Sequence, residues 1–339
     1  MFNETLPEDY LRGWAVVIFS AISVLFLVSQ LDKHPQYCIY YLMGLLIIRI
    51  FLGGDAEEIN IEMIEENTNY FKQRLMGFVN PAILLGSYFL SINKHSKYAV
   101  LLLLSYAIFC LFVDARSNSL AYFVAAVLLF VKLNQIKLTT GKLLFIGIIS
   151  LCLGAFAYVY YVDQVLYHDF GGINAKRQLN LAADPYNPID LLKQGRTGTF
   201  IAIEAIKDRP IIGYGSWARD ETGKYSELQA ELMDVSSRFS ENHVPLISMH
   251  SIIFTAWLWA GIGGFFSILF LYVTLLSLGI RLFKKSRNFP LLVIILPLLT
   301  EMVWNAFFSP FGHLRTSFPI IASLLIVGYY NLNSTNLKL

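Results

Sequence analysis

The sequence predicts an all-α, polytopic integral membrane protein with about nine transmembrane helices and one large outer loop. Three observations carry that expectation. Of the 339 residues, 56% are hydrophobic and 15% charged, where a soluble domain carries about 25% charged residues. Several apolar runs reach roughly 17–22 residues, enough to cross about 30 Å of hydrocarbon as helix. The runs are continuous, unlike the short alternating segments of an outer-membrane barrel.

In order, the expected spans are 13–31, 37–53, 76–92, 98–114, 116–132, 143–161, 251–280, 289–308 and 315–331. The fourth and fifth are joined by almost nothing, so Asp114-Ala115-Arg116 must turn tightly at the membrane surface. The seventh is longer than a span needs, which predicts tilt or first turns outside the hydrocarbon. Four regions follow: 1–75, a transmembrane pair with an acidic outer loop; 76–161, helices carrying Arg116; 162–250, the large outer loop with short helices; and 251–339, C-terminal helices and tail.

Charge fixes the expected orientation. Loops 32–36, 93–97, 132–142 and 281–287 and the tail 332–339 hold lysines and arginines against one acid, Asp32. The alternate loops are acidic: Asp55, Glu57, Glu58, Glu62, Glu65 and Glu66 crowd one, and residues 162–247 hold twelve acids against nine bases. Lysine and arginine collect on the cytoplasmic side. The N-terminus and long loop are therefore expected outside and the C-terminus inside, a parity that nine spans satisfy. The opening MFNETLPEDYLRG is acidic where a secretory signal is basic.

Within the long loop, Gly171-Gly172, Asp184-Pro185 and Asn187-Pro188 mark turns. Gly198 to Arg209 reads as a helix with Phe200, Ile203 and Ile206 on one face, stopped by Pro210. Ile211-Ile212-Gly213-Tyr214-Gly215 reads as a turn, and Glu221 to Ser237 as a second helix. No internal repeat is visible, which weighs against a transporter. Cys38, Cys110 and Cys152 all fall in apolar runs, read as small buried side chains, and suggest neither disulfides nor a metal site. No nucleotide loop, metal-ligand pair or serine elbow appears, so no cofactor and no nucleic-acid partner is expected.

Four polar groups stand where chemistry is possible. Arg116 opens a span, where a guanidinium either snorkels to lipid phosphate or binds a substrate phosphate. Arg196 precedes the Gly198 helix, whose N-terminus already favours anions. His250 stands where the long loop meets a span, before nine apolar or small residues and Gly261. A lone histidine is more often structural, but arginines nearby would keep it neutral, as a general base must be. His243 is its rival, and His168 and His313 have less context. Glu301 is an intramembrane carboxylate, equally readable as protonated and packed.

These pieces resemble the O-antigen ligase and O-antigen polymerase superfamily of bacterial envelopes. Arg116-x3-Leu120, Arg196 ahead of Pro210-Ile-Ile-Gly213-Tyr-Gly215, and His250-Ser251-x9-Gly261 match its motifs in order, and Arg74-Leu-Met-Gly77 with Asn80-Pro81 matches more weakly. The resemblance covers roughly residues 70 to 330. It implies metal-independent glycan transfer on the periplasmic face of the inner membrane, from undecaprenyl diphosphate to lipid A-core (ligase) or to a second lipid-linked glycan (polymerase). Arg116 and Arg196 would hold the donor diphosphate, with Arg74, His243 and Arg209 as lesser candidates, and His250 would be the base. Family members usually have more spans and start inside, which places the expected shortfall at the N-terminus. Ser251 stands where asparagine is commoner. The ligase reading leads the polymerase narrowly, and a protein-glycosylating transferase follows. A flippase of lipid-linked glycan and a non-enzymatic scaffold are the competitors from other classes. A flippase leaves the spaced arginine and histidine of the outer loop without a purpose, and a scaffold leaves the motif order without one.

Overall fold

The computed structural model describes the whole chain except residues 1–4, 35, 53–66, 114, 137–139, 169–171, 234–243, 287–288, 310 and 334–339; side chains at 67–75, 142–150 and 192–195, with a few others inside helices, are also outside the description. The described residues form α1 (Pro7–Lys33), α2 (Tyr37–Leu52), α3 (Asn67–Ile92), α4 (Ser96–Phe112), α5 (Arg116–Leu133), α6 (Thr140–His168), α7 (Gly172–Leu181), α8 (Pro188–Gly195), α9 (Thr197–Asp208), α10 (Lys224–Met233), α11 (Ile252–Lys285), α12 (Phe289–Phe308), α13 (His313–Thr316) and α14 (Phe318–Asn333). Only an isolated bridge between Arg219 and Leu246 interrupts this helical character among them.

Each of the nine apolar stretches lies largely in a helix. Four of these, α1, α5, α11 and α12, are long and apolar enough to cross a membrane. Helices α2, α4, α14 and the described part of α3 are apolar but shorter. The acidic loop of Asp55 to Glu66 lies outside the described residues.

The chain forms two compact units. One comprises 1–19, 137–273 and 304–315, and the other 20–136, 274–303 and 316–339. The boundary runs through α1, α11, α12 and α13.

In the first unit, the core gathers Ile201, Ala205 and Ile206 of α9, Ala218, Tyr225 of α10, Ile247, and Leu258 and Trp259 of α11. The buried face of α9 is thus Ile201, Ala202, Ala205 and Ile206, and Phe200 and Ile203 are only half-buried. Alanine pairs take the place expected of larger side chains because they admit closer neighbours. Helix α8 begins by the rules of capping: the Asn187 side-chain oxygen accepts from Ile189 N–H at 3.0 Å, and Pro188 fills the first helical position. Helix α10 is capped by Asp220, whose buried carboxylate accepts from Ser226 N–H at 2.6 Å. Helix α1 is tied in by Asp9, whose Oδ2 accepts from Arg219 Nε at 2.9 Å and lies 2.8 Å from Nη2.

The length of α11 has a specific cause. It breaks at Ala260 and Gly261, and Gly261 has φ 63° and ψ −156°, a conformation essentially restricted to glycine. The break leaves backbone groups without helical partners, and the Pro210–Gly215 turn supplies them. Tyr214 N–H donates to Leu258 O at 2.7 Å, Gly215 N–H to Trp259 O at 2.9 Å, and Ile262 N–H to Ile211 O at 3.2 Å. Trp257 Nε1 donates to Pro210 O at 2.8 Å. A Cβ on Gly261 would sit 1.9 Å from Ile211 O, and one on Gly213 2.6 Å from Leu258 O. Gly261 is therefore the kink point of the helix, while Gly263 has no atom near enough to need its smallness.

In the second unit, α4 ends at Phe112 and α5 starts at Arg116, the tight connection expected. Leu103, Tyr106 and Cys110 are buried with Ala121, Tyr122 and Ala125, and the Tyr106 and Tyr122 rings meet edge-on at 4.8 Å. Tyr106 donates to Asn80, and Glu301 is close enough to both tyrosines to interact electrostatically. Cys38 and Cys110 are buried as expected; Cys152 is exposed.

Candidate functional site

Arg196 and His250 come together in the first unit, though 54 positions separate them. Arg196 takes the residue before α9, and its carbonyl accepts from Thr199 N–H at 2.9 Å. Its side chain makes no capping hydrogen bond. Instead the guanidinium stands 5.7 Å from the ring centres of both Trp304 and Phe308, which themselves pack at 4.6 Å on the last turns of α12. Such cation–π contacts contribute about 0.5–1 kcal/mol each when exposed, and they hold a planar group in one orientation.

His250 lies two residues before α11. Its carbonyl meets the Thr199 hydroxyl at 3.4 Å. The next residue, Ser251, is buried and fastens the junction. Its hydroxyl donates to Ala306 O at 3.0 Å and accepts from Phe254 N–H at 3.3 Å, which caps α11. Ser251 is thus the N-cap of α11.

Glycine at 198 decides how His250 sits. A Cβ there would lie 2.6 Å from His250 Nδ1, 2.7 Å from Ser248 Oγ and 3.3 Å from Met249 N. The first turn of α9 is thus open for the imidazole to lean against, an arrangement only glycine allows. Nothing in the local sequence distinguishes Gly198 from Gly195; the contact is with residues some fifty positions away.

The electrostatics follow from this packing. His250 keeps an exposed face, but its other sides are crowded. Desolvation lowers its pKa below the ordinary 6.5, and the positive charge of Arg196 lowers it further. The N-termini of α9 and α11 add positive potential at the same place. A neutral imidazole beside a fixed guanidinium can accept a proton while the cation stabilises a departing anion.

Arg116 is half-buried at the first residue of α5, in the second unit. Arg74 falls in α3, but its side chain is outside the described residues, as is all of His243. His168 is exposed at the end of α6. Arg209 follows the other end of α9, its guanidinium 4.8 Å from the Tyr214 ring centre. Sequence reasoning missed Asn305, between the two residues that touch Arg196 and Ser251; its side-chain nitrogen is buried without a hydrogen-bond partner among the described residues. Among those residues no cluster of histidine, cysteine or carboxylates could hold a metal.

No protein-family model matches the sequence, and neither a curated protein nor a solved structure matches it.

Proposed function

We propose that the chain is a membrane glycosyltransferase of the O-antigen ligase type, taking glycan from an undecaprenyl-diphosphate donor. The observation that supports this most is the Arg196–His250 pair, held by Gly198 and the Trp304–Phe308 rings. His250 removes the proton from an acceptor hydroxyl as the oxygen attacks the anomeric carbon. The glycosidic bond to phosphate breaks, and Arg196, with Arg116, stabilises the departing diphosphate without a metal. Lipid A-core as acceptor makes the enzyme a ligase, and a second lipid-linked glycan makes it a polymerase.

The test is a nucleotide-free reaction of purified protein with lipid-linked glycan, with and without lipid A-core. Transfer to lipid A-core or chain growth is the expected outcome. Flipping activity without either product would replace this reading with the transporter.

In this reading nine spans cross the bacterial inner membrane, with the N-terminus outside and the C-terminus in the cytoplasm. In a cysteine-free background, an impermeant thiol reagent added outside should label Glu221→Cys and miss Lys285→Cys. Both positions are exposed on the protein itself, so accessibility reports only the side of the membrane. The reverse pattern would invert the topology and place His250 on the wrong face.

A further inference from the structure

The far end of α9 carries a second, separately built cavity. It encloses about 220 Å³ between the start of α1, the end of α9 and the segment leading into α10. Ten residues along α9, at 1.5 Å each, put it about 15 Å from Gly198, too far to hold the reacting bond.

Its lining has a definite chemistry. Three aromatic residues, Tyr214, Trp217 and Tyr225, contribute to the wall. The Tyr214 and Tyr225 hydroxyls are 2.6 Å apart, and Tyr225 donates to Asp208 at 2.6 Å. Lys224 donates to the same carboxylate oxygen at 2.5 Å. The hydrogen bond from Lys224, then that from Tyr225, lowers the Asp208 pKa, and burial followed by the bond to Asp208 raises that of Tyr225. Asp208 is therefore a carboxylate and Tyr225 a neutral phenol at neutral pH. Arg209 is different. Its guanidinium stacks on Tyr214, with no side-chain hydrogen bond or ion pair among the described residues. Trp217 has φ 55°, a conformation few tryptophans adopt, and its indole N–H is buried without an acceptor among the described residues. Backbone outliers of this kind gather at binding sites.

Charge selects the ligand class. The wall contains the acids Asp9, Asp208, Asp220 and Glu221 against the bases Arg209, Arg219 and Lys224, a formal charge of −1. That balance repels a diphosphate. Polar groups throughout the wall disfavour a lipid tail. What matches is a neutral polyhydroxyl ring, with C–H faces for the aromatics and hydroxyls for the forked donor of Arg209 and the acceptors of the relay.

We propose that this cavity binds a neutral sugar residue of the glycan, remote from the bond that reacts. Its role in transfer rests on the glycosyltransferase reading; the binding itself does not. Binding energy from such a remote group can be used to orient the reacting centre.

The experiment uses full-length protein in nanodiscs and an array of neutral hexose, deoxyhexose and N-acetylhexosamine oligosaccharides carrying neither lipid nor diphosphate. Bound members are then titrated by tryptophan fluorescence. At least one neutral oligosaccharide should bind. Arg209→Ala should weaken it about tenfold or more, Tyr214→Phe and Trp217→Phe less, and His250→Ala not at all. The Phe variants keep the rings, and a melting curve for each variant separates lost binding from lost fold. Absence of binding to every array member overturns the inference, as does binding that is indifferent to Arg209 and Trp217 in folded variants. Binding without any transfer by the wild type would remove the transferase reading alone; transfer without array binding would remove this inference alone.

Discussion

The two ends of α9 are built from the same kinds of residue and do different work. At the N-terminal end a guanidinium rests on rings, a glycine makes room for a histidine, and the local potential is positive. At the C-terminal end a guanidinium again rests on a ring, but carboxylates outnumber cations and phenols tie up the nearest acid. An arginine on an aromatic ring is therefore not a function in itself. The charges around it decide whether it meets an anion or a neutral hydroxyl.

The comparison breaks most visibly at His250. His250→Ala should lower transfer by roughly 10²–10⁴-fold, the range for a general base, with oligosaccharide binding intact. Single-turnover transfer in nanodiscs measures this; full activity would move the base elsewhere. Gly198→Ala comes next. The added methyl must displace His250 or Ser248, and a misplacement of about 1 Å can cost about 10²-fold in rate. Alanine is the better helix former by about 1 kcal/mol, so the expected signature is lost activity without a matching loss in melting temperature. Unchanged activity would show that the imidazole does not depend on that contact.

Gly261→Ala affects both ends, because the kink docks the turn that follows α9. The glycine-only backbone conformation alone costs an alanine about 1–3 kcal/mol, and the clash with Ile211 O adds to it. Melting should fall, and Tyr214 should lose its place at the cavity. The smallest effect is on pH. The proposed transfer requires neutral His250, whose pKa is lowered from 6.5, so the acid limb of its rate profile should fall below that value. Arg196→Gln removes the lesser of the two causes and should shift the limb part of the way back up. Stability has the same sign: between the folded value and 6.5 the unfolded chain binds more protons, so stability falls as pH falls through that window. An unmoved limb in Arg196→Gln would separate the two side chains electrostatically.

The helices were legible because hydropathy and Pro210 are local signals. The buried face of α9 was misread because Ala202 and Ala205 are unremarkable until something packs against them. Arg196 and His250 could be singled out by position, but not that they meet. Gly198, Gly261 and Asn305 acquire meaning only through contacts with distant segments, which no window along the chain contains. The cavity was invisible for the same reason: Arg209 was noticed for its charge, and Trp217 for nothing.

The kink of α11 also limits how the protein can be taken apart. A fragment ending at Met249 would keep α7 to α10 yet leave Tyr214, Gly215 and Pro210 without their partners Leu258, Trp259 and Trp257. It would also lose Leu258 and Trp259 from its core. The segment between α6 and α11 is thus not a removable module. Soluble dissection should be cut after the kink, carrying the first turns of the helix along.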